Sequence, residues 1–151
     1  MVAGIMSAGV LTAGLGVGIS SAAGRSAVAA RTISLNENGH LRRTSSHGLK
    51  INEQGSATGT IEGTIYIHLE LISQNRVRAE VNIYPHGGSL TGFSSASYRL
   101  NGGTASFSGT MSINRGTGSY AHAHGSGLSF SGTIQRLSGA VTVRLSGSMS
   151  T

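Results

Sequence analysis

Apolar and polar residues alternate along most of the chain after residue 58. In the segment 60-TIEGTIYIHLEL-71, odd positions carry Ile, Gly and Leu, and even positions carry Thr, Glu, Tyr and His. Successive side chains of a β-strand point to opposite faces of its sheet, so a period of two predicts half-buried strands. The alternation recurs at 77–83, 105–113, 128–134 and 141–149.

Turn signals separate these alternating segments. Pro85 and the pair Gly87-Gly88 end one of them, and Asn101-Gly102-Gly103 is typical of a hairpin connection. Gly92 shifts the phase within 89–100, which indicates a bulge. No segment of helical length after residue 31 shows a 3.6-residue period, so the fold class is predicted to be all-β.

Glycines inside the predicted strands narrow the architecture. Gly63, Gly109, Gly132 and Gly147 fall in phase with the apolar face. A glycine within a strand costs roughly 0.5–1 kcal/mol relative to alanine, so its repetition needs a reason. Strands that bend at barrel corners supply one. We therefore expect residues 58–151 to form a small antiparallel β-barrel of about eight strands, with a β-sandwich as the second choice.

The N-terminal part of the chain follows a different pattern. Residues 2–19 are apolar and uncharged, and the small-residue sites 21-SAA-23 and 27-AVA-29 follow. This pattern predicts a signal peptide over 1–30, although a transmembrane anchor is the rival interpretation. The mature protein is then secreted and extracellular, with no stable membrane span. Residues 31–57 are polar and weakly patterned, and we expect an N-terminal arm or loop with at most one short strand.

Composition excludes several kinds of chemistry. The chain of 151 residues has no Cys and no Asp, and its five acidic residues are all Glu. Disulfides, thiolate catalysis and aspartate-dependent mechanisms are therefore excluded. The net charge is +6, but the arginines are scattered and aromatic residues are few. A nucleic-acid-binding protein more often has a dense basic stripe with stacking aromatics, so no nucleic-acid partner is expected.

One glycine-rich motif carries a family resemblance. The stretch 116-GTGSYAHAHG-125 resembles the signature of dirigent proteins and the related allene oxide cyclase barrels. The resemblance spans roughly residues 58–149, and its specific core is the motif itself. It implies a barrel in which a Gly-Thr-Gly turn and an anchoring aromatic connect two strands. Two departures are Arg115, where the family usually has glycine, and the absence of Asp. The residues assigned to this structural motif are Gly116, Thr117, Gly118, Tyr120, Ala123 and Gly125.

The spacing of His122 and His124 raises the alternative of a metal site. On a strand, the two side chains would share a face, which suits metal ligation. In the turn that the family resemblance implies, they need not converge. No third ligand lies near in sequence, and zinc sites use three or four protein ligands. We therefore predict no metal and no cofactor.

Candidates for acid–base chemistry are few. Glu62 and Glu70 lie on the polar face of the first long strand, and His122 and His124 are the other candidates. In allene oxide cyclases a buried glutamate is thought to matter, so either glutamate could serve only if its face points inward. Charged residues are seldom fully buried without partners, which favours a surface position. The choice of inward face stays open at this point.

Three classes of function follow from these observations. The first is a secreted barrel that binds or guides a small apolar molecule without covalent catalysis. The alternatives are a cyclase or isomerase using a Glu or His acid–base group, and a purely structural secreted protein. For the first class, the predicted ligand-binding residues are Tyr66, Tyr84, Tyr120 and Arg115. The tyrosine rings also suit a subunit contact, so homo-oligomerisation is a further expectation.

The signal-peptide hypothesis has a direct test. N-terminal sequencing of the exported protein should give a first residue between Gly24 and Thr32, because signal peptides are cleaved after small residues. Recovery of an exported protein that begins at Met1 would contradict the hypothesis.

Overall fold

The computed structural model describes residues 30–151 and shows a closed antiparallel β-barrel of eight strands. The strands pair in chain order, and the last pairs with the first. This confirms the predicted fold class and excludes a β-sandwich. The signal-peptide prediction lies outside the described residues. The strands are β1 (Thr32–His47), β2 (Lys50–Gly59), β3 (Gly63–Ser73), β4 (Arg76–Pro85), β5 (Gly88–Asn101), β6 (Thr104–Gly118), β7 (Gly125–Gln135) and β8 (Ala140–Ser150).

The structure corrects the expectation of an N-terminal arm over 31–57. This segment forms β1 and β2, and β1 closes the barrel by pairing with β8 from Thr32↔Ser150 to Arg42↔Ala140. The alternation is present in both strands, but glutamate and glycine occupy several inward positions. The buried faces include Glu37 on β1 and Glu53 on β2. These inward residues made the segment look polar and unpatterned.

The middle of the barrel is filled by side chains. The apolar face of each strand points inward, including Ile65 and Ile67 of β3, whereas His68 points outward and is exposed. The rings of Phe107 and Phe130 pack with their centroids 5.4 Å apart. The cavity that remains at the centre has a volume of only about 10 Å³, so the interior is not a continuous channel.

The connections divide between the two ends of the barrel. The β1–β2, β3–β4, β5–β6 and β7–β8 turns lie at one end, called here the hairpin end. The other end carries the β2–β3, β4–β5 and β6–β7 connections together with both chain ends of the described part, and is called here the terminal end. Within residues 30–151, no helix is long and apolar enough to cross a bilayer.

Two of the strand glycines occur where the barrel wall leaves no room for a side chain. A Cβ atom on Gly132 would overlap the carbonyl oxygen of Thr142 and the ring of Phe107. A Cβ atom on Gly109 would overlap the backbone of Ser95 and Ala96. Glycine at these positions therefore permits the close approach of neighbouring strands.

Replacing Gly132 by alanine should destabilise the barrel by about 1–3 kcal/mol, because the added methyl group enters a filled space. Gly103 is the matched control, since nothing lies within 4 Å of the Cβ position there. Gly103→Ala should be neutral or slightly stabilising, because alanine restricts the unfolded chain. Urea unfolding measures the stability of both variants. Equal stabilities would contradict the conclusion that the barrel wall has no room for a side chain at Gly132.

Candidate functional site

A cavity of about 580 Å³ opens at the hairpin end of the barrel. Inward side chains from several strands line it, among them Leu69, Val77, Ala105, Phe107 and Ile134. Tyr98 is the tyrosine in the lining. Because the barrel centre below is filled, the cavity does not continue through the barrel. Its size and apolar lining are those of a site for a small molecule.

Two arginines carry positive charge into the lining of this cavity. Arg43 comes from β1, and Arg136 follows the end of β7. The Nη2 of Arg43 donates a hydrogen bond to the carbonyl of Arg136 at 3.5 Å, and the Arg43 amide donates to the carbonyl of Gly139 at 2.9 Å. These contacts tie Arg43 to the β7–β8 turn. The rim of the cavity is therefore cationic, whereas its depth is apolar.

Glu53 is a buried acid just beneath this cavity. It is 2% exposed and lies across from Arg43 on β1 and Ile67 on β3. Ile51, the next residue on the same face of β2, lines the cavity, so Glu53 lies one inward position deeper. Its Oε1 has no hydrogen-bond partner. Burial raises the pKa of Glu53 to about 7, and the positive charge of Arg43 opposes that rise.

Glu37 is the second buried acid and lies towards the terminal end. Its Oε1 accepts a 2.7 Å hydrogen bond from the amide of Ile61, while its Oε2 has no partner. Burial raises the pKa of Glu37, and hydrogen bonds from the backbone of Ile61 and Thr60 act against the rise. Glu37 thereby ties the β2–β3 connection to β1. We assign it a structural role.

The predicted acid–base candidates lie apart from the cavity. Glu62 is exposed in the β2–β3 connection, and Glu70 is half-buried on the outer face of β3. His122 and His124 are exposed in the β6–β7 connection at the terminal end. None of these four side chains lines the hairpin-end cavity. The structure therefore does not assemble them into one site.

The predicted ligand-binding residues are also outside the cavity lining. Tyr66 and Tyr84 pack edge to face on the outer wall, with ring centroids 5.6 Å apart and planes at 87°. The Tyr66 hydroxyl accepts a hydrogen bond from Gln54 Nε2 at 3.2 Å. Arg115 is exposed on β6, and Tyr120 packs against the core at the terminal end. These four residues do not converge on one pocket.

The glycine-rich motif forms the end of β6 and the connection to β7. The Tyr120 amide donates to the carbonyl of Thr117 at 3.0 Å, and the Ala123 amide donates to the carbonyl of Tyr120 at 2.8 Å. Ala123 is buried, and Gly118 adopts a φ of +58° that favours glycine. Gly116 lies against the backbone of Tyr120, where a side chain would not fit. The motif is thus a compact turn built around Tyr120, followed by Gly125 as the first residue of β7.

The histidines of this turn point to no metal site. His124 Nδ1 lies 3.1 Å from the carbonyl oxygen of His122, and its backbone pairs with Ser150. Among residues 30–151, no group of three or more potential metal ligands converges. The absence of a metal remains a prediction for the whole chain.

Sequence reasoning missed the charged residues at and beneath the cavity, which are Arg43, Arg136 and Glu53. Ile51, Glu53, Gly55 and Ala57 follow one another at a spacing of two. This period was the signal that could have predicted β2. Arg43 is adjacent to Arg42 in the sequence, and nothing else there distinguishes it from the other arginines. Arg136 carried no local signal, because its position at the cavity depends on how the β7–β8 turn meets β1.

Comparison with protein-family models, curated proteins and solved structures finds no match. The resemblance to dirigent and allene oxide cyclase barrels therefore remains a prediction based on the motif at 116–125.

The raised pKa of Glu53 makes stability depend on pH. Its folded pKa is about 7 and its ordinary value is 4.5, so the fold favours the neutral carboxyl. This stabilisation is fully present below pH 4.5 and is lost as the pH rises through 7. The shift corresponds to a loss of about 3 kcal/mol in the free energy of unfolding.

Urea unfolding at pH 5 and pH 8 tests this assignment. Glu53→Gln should flatten most of the pH dependence, with a residual slope of the same sign from Glu37. Glu70→Gln, on the outer face of β3, is the matched control and should keep the parent slope. An unchanged slope in Glu53→Gln would show that another group titrates.

Proposed function

We propose that this protein binds a small apolar molecule in the hairpin-end cavity and holds it without a covalent step. The observation that supports this proposal is the apolar cavity of about 580 Å³ above a filled barrel centre. A barrel that served only as a structural unit would gain stability by filling this space as well. The apolar lining gives affinity by removing the ligand from water.

The rim suggests the orientation of the ligand. Its apolar part would lie among Leu69, Val77 and Phe107, and a polar end would face Arg43 and Arg136. Guanidinium groups donate several hydrogen bonds in a planar array, so they favour an acceptor such as a carboxylate, phosphate or carbonyl oxygen. A mainly apolar molecule with a hydrogen-bond acceptor at one end fits both regions.

Acid–base catalysis by Glu53 is the second candidate function. A carboxyl group with a pKa near 7 can both donate and accept a proton at neutral pH. However, Glu53 is not part of the cavity lining, because Ile51 occupies the level above it. A ligand in the cavity would not reach the carboxyl without a rearrangement of the floor. Binding is therefore preferred over a cyclase or isomerase reaction.

The family resemblance supports the same proposal by analogy. Dirigent proteins and allene oxide cyclases are barrels in which the shape of a pocket guides a reactive molecule, and the motif at 116–125 is the basis of the likeness. Secretion is proposed from the sequence of residues 1–30. Neither the family analogy nor the proposed secretion depends on the geometry of the cavity.

Titration with the neutral fluorescent probe N-phenyl-1-naphthylamine tests the proposal. Ala105 lies in the cavity lining, whereas Ser106 is its exposed neighbour on the outer face of β6. Ala105→Trp should reduce probe affinity about tenfold or more, because the indole occupies the space that the probe needs. Ser106→Trp adds the same side chain outside and should leave affinity unchanged.

Two outcomes would contradict the binding proposal. The parent protein could fail to bind the probe, or both tryptophan variants could bind it equally well. A folded Ala105→Trp barrel, established by circular dichroism, is needed for the comparison. Glu53→Gln distinguishes binding from catalysis by Glu53. It should leave probe binding unchanged, whereas a reaction that uses the carboxyl group would be lost.

A further inference from the structure

The exposed aliphatic side chains of the barrel are concentrated at the hairpin end. Among residues 30–151, the large aliphatic residues that are exposed are Leu49, Ile72, Leu100 and Leu137, with exposed fractions of 61%, 51%, 58% and 98%. Each belongs to a different hairpin, at its turn or within two residues of it. All four hairpins of this end therefore project an apolar group into solvent. Exposed apolar groups gathered in one region are typical of a contact surface.

Basic residues surround these apolar tips. The barrel residues of positive charge lie mostly on this half, whereas Arg31, Arg115 and Arg144 lie towards the terminal end or the middle. The acids of the same half are the buried Glu53 and the half-buried Glu70 and Glu80, and Glu70 lies across from Lys50 and Arg78. The hairpin end is therefore net positive. Its basic residues are Arg42, Arg43, Lys50, Arg76, Arg78, Arg99 and Arg136.

We propose that the hairpin end docks on an anionic lipid bilayer, with its four aliphatic tips inserted among the headgroups and its basic residues against the lipid phosphates. An apolar group that enters the interface and a basic patch that meets anionic lipid are the two contributions that peripheral binding combines. The tips sit on separate hairpins, and a fluid bilayer accepts separate protrusions without a matching rigid surface.

Charge argues against a second copy of the chain as the occupant. A symmetric dimer through this end would place the basic ring of one copy against the same ring of the other. Such a contact opposes like charges, whereas an anionic bilayer neutralises them. The chain ends of the described part lie at the terminal end, on the opposite side from the docking surface.

Docking in this orientation would open the cavity towards the lipid. Leu100 and Leu137 belong both to the exposed tips and to the cavity lining. A ligand could then pass between bilayer and cavity without crossing water. This last step rests on the proposed function, whereas docking itself does not.

Sedimentation with phosphatidylcholine vesicles, with and without phosphatidylglycerol, tests the docking. The parent protein should bind only the vesicles that contain phosphatidylglycerol, and high salt should weaken binding because it screens the charges. All variants carry the same N-terminal residues, so differences between them report the barrel.

The apolar contribution is tested with tips that do not line the cavity. Leu49→Ser/Ile72→Ser should reduce partitioning about tenfold or more, because both apolar groups leave the interface. Tyr84→Ser/Phe93→Ser is the matched control, since these residues are 52% and 48% exposed on the barrel wall. The control should bind as the parent does.

The contribution of the basic residues to vesicle binding is tested with two double variants that each remove two positive charges. Arg76→Gln/Arg99→Gln should lower partitioning about 25-fold, which is about fivefold for each charge removed near an anionic surface. Arg31→Gln/Arg115→Gln removes the same charge away from the docking surface and should bind as the parent does.

Several results would overturn the proposal. They are an absence of binding that depends on phosphatidylglycerol, unchanged binding in both hairpin-end pairs, and an equal loss in the wall controls. Self-association without vesicle binding would instead identify a second copy as the partner of this end. Ala105→Trp separates the two proposals, because a filled cavity should weaken probe binding about tenfold or more and leave vesicle binding intact.

Discussion

The pairing of β1 with β8 is the interaction on which the rest of the structure depends. Without it, the sheet would have two edges with unpaired backbone groups, and the apolar face would be open to water. The contact joins the beginning and the end of the described chain over the full length from Thr32↔Ser150 to Arg42↔Ala140. Closure turns the inward alternation of every strand into a single core. It also brings the β7–β8 turn beside Arg43, which forms part of the cavity rim.

Closure has a cost, because it buries the two acids Glu37 and Glu53 in a mostly apolar interior. Glu37 is partly compensated by the amide of Ile61, and Glu53 by its neutral form and the nearby charge of Arg43. A buried acid without full hydrogen bonding is unfavourable in a core, so such groups often accompany a functional region. Glu53 lies beneath the cavity, where the filled centre of the barrel gives way to open space. Glu37 lies where the β2–β3 connection is fixed.

The two ends of the barrel differ in composition for a structural reason. At the terminal end, the motif around Tyr120 forms a turn held by backbone hydrogen bonds, and its half-buried ring packs against the core. At the hairpin end, the strands are joined by short turns that leave the mouth open and carry aliphatic tips. The residues that meet at each end of the barrel therefore come from distant parts of the sequence. Lipid docking and ligand entry, as proposed, both use this asymmetry.

The period of two predicted the strands from β3 to β8 and the all-β class, whereas the face that lies inside the barrel was decided by its closure. The period was sufficient for the strands because alternation within one strand is a local property. The membership of β1 and β2 was decided by the tertiary structure, because glutamate and glycine on their inward faces hid the same alternation. The cavity was likewise invisible, since its volume depends on how side chains from several strands together fall short of filling the mouth. The grouping of Leu49, Ile72, Leu100 and Leu137 at one end follows from the up-and-down order of closed strands, which no single stretch of sequence contains.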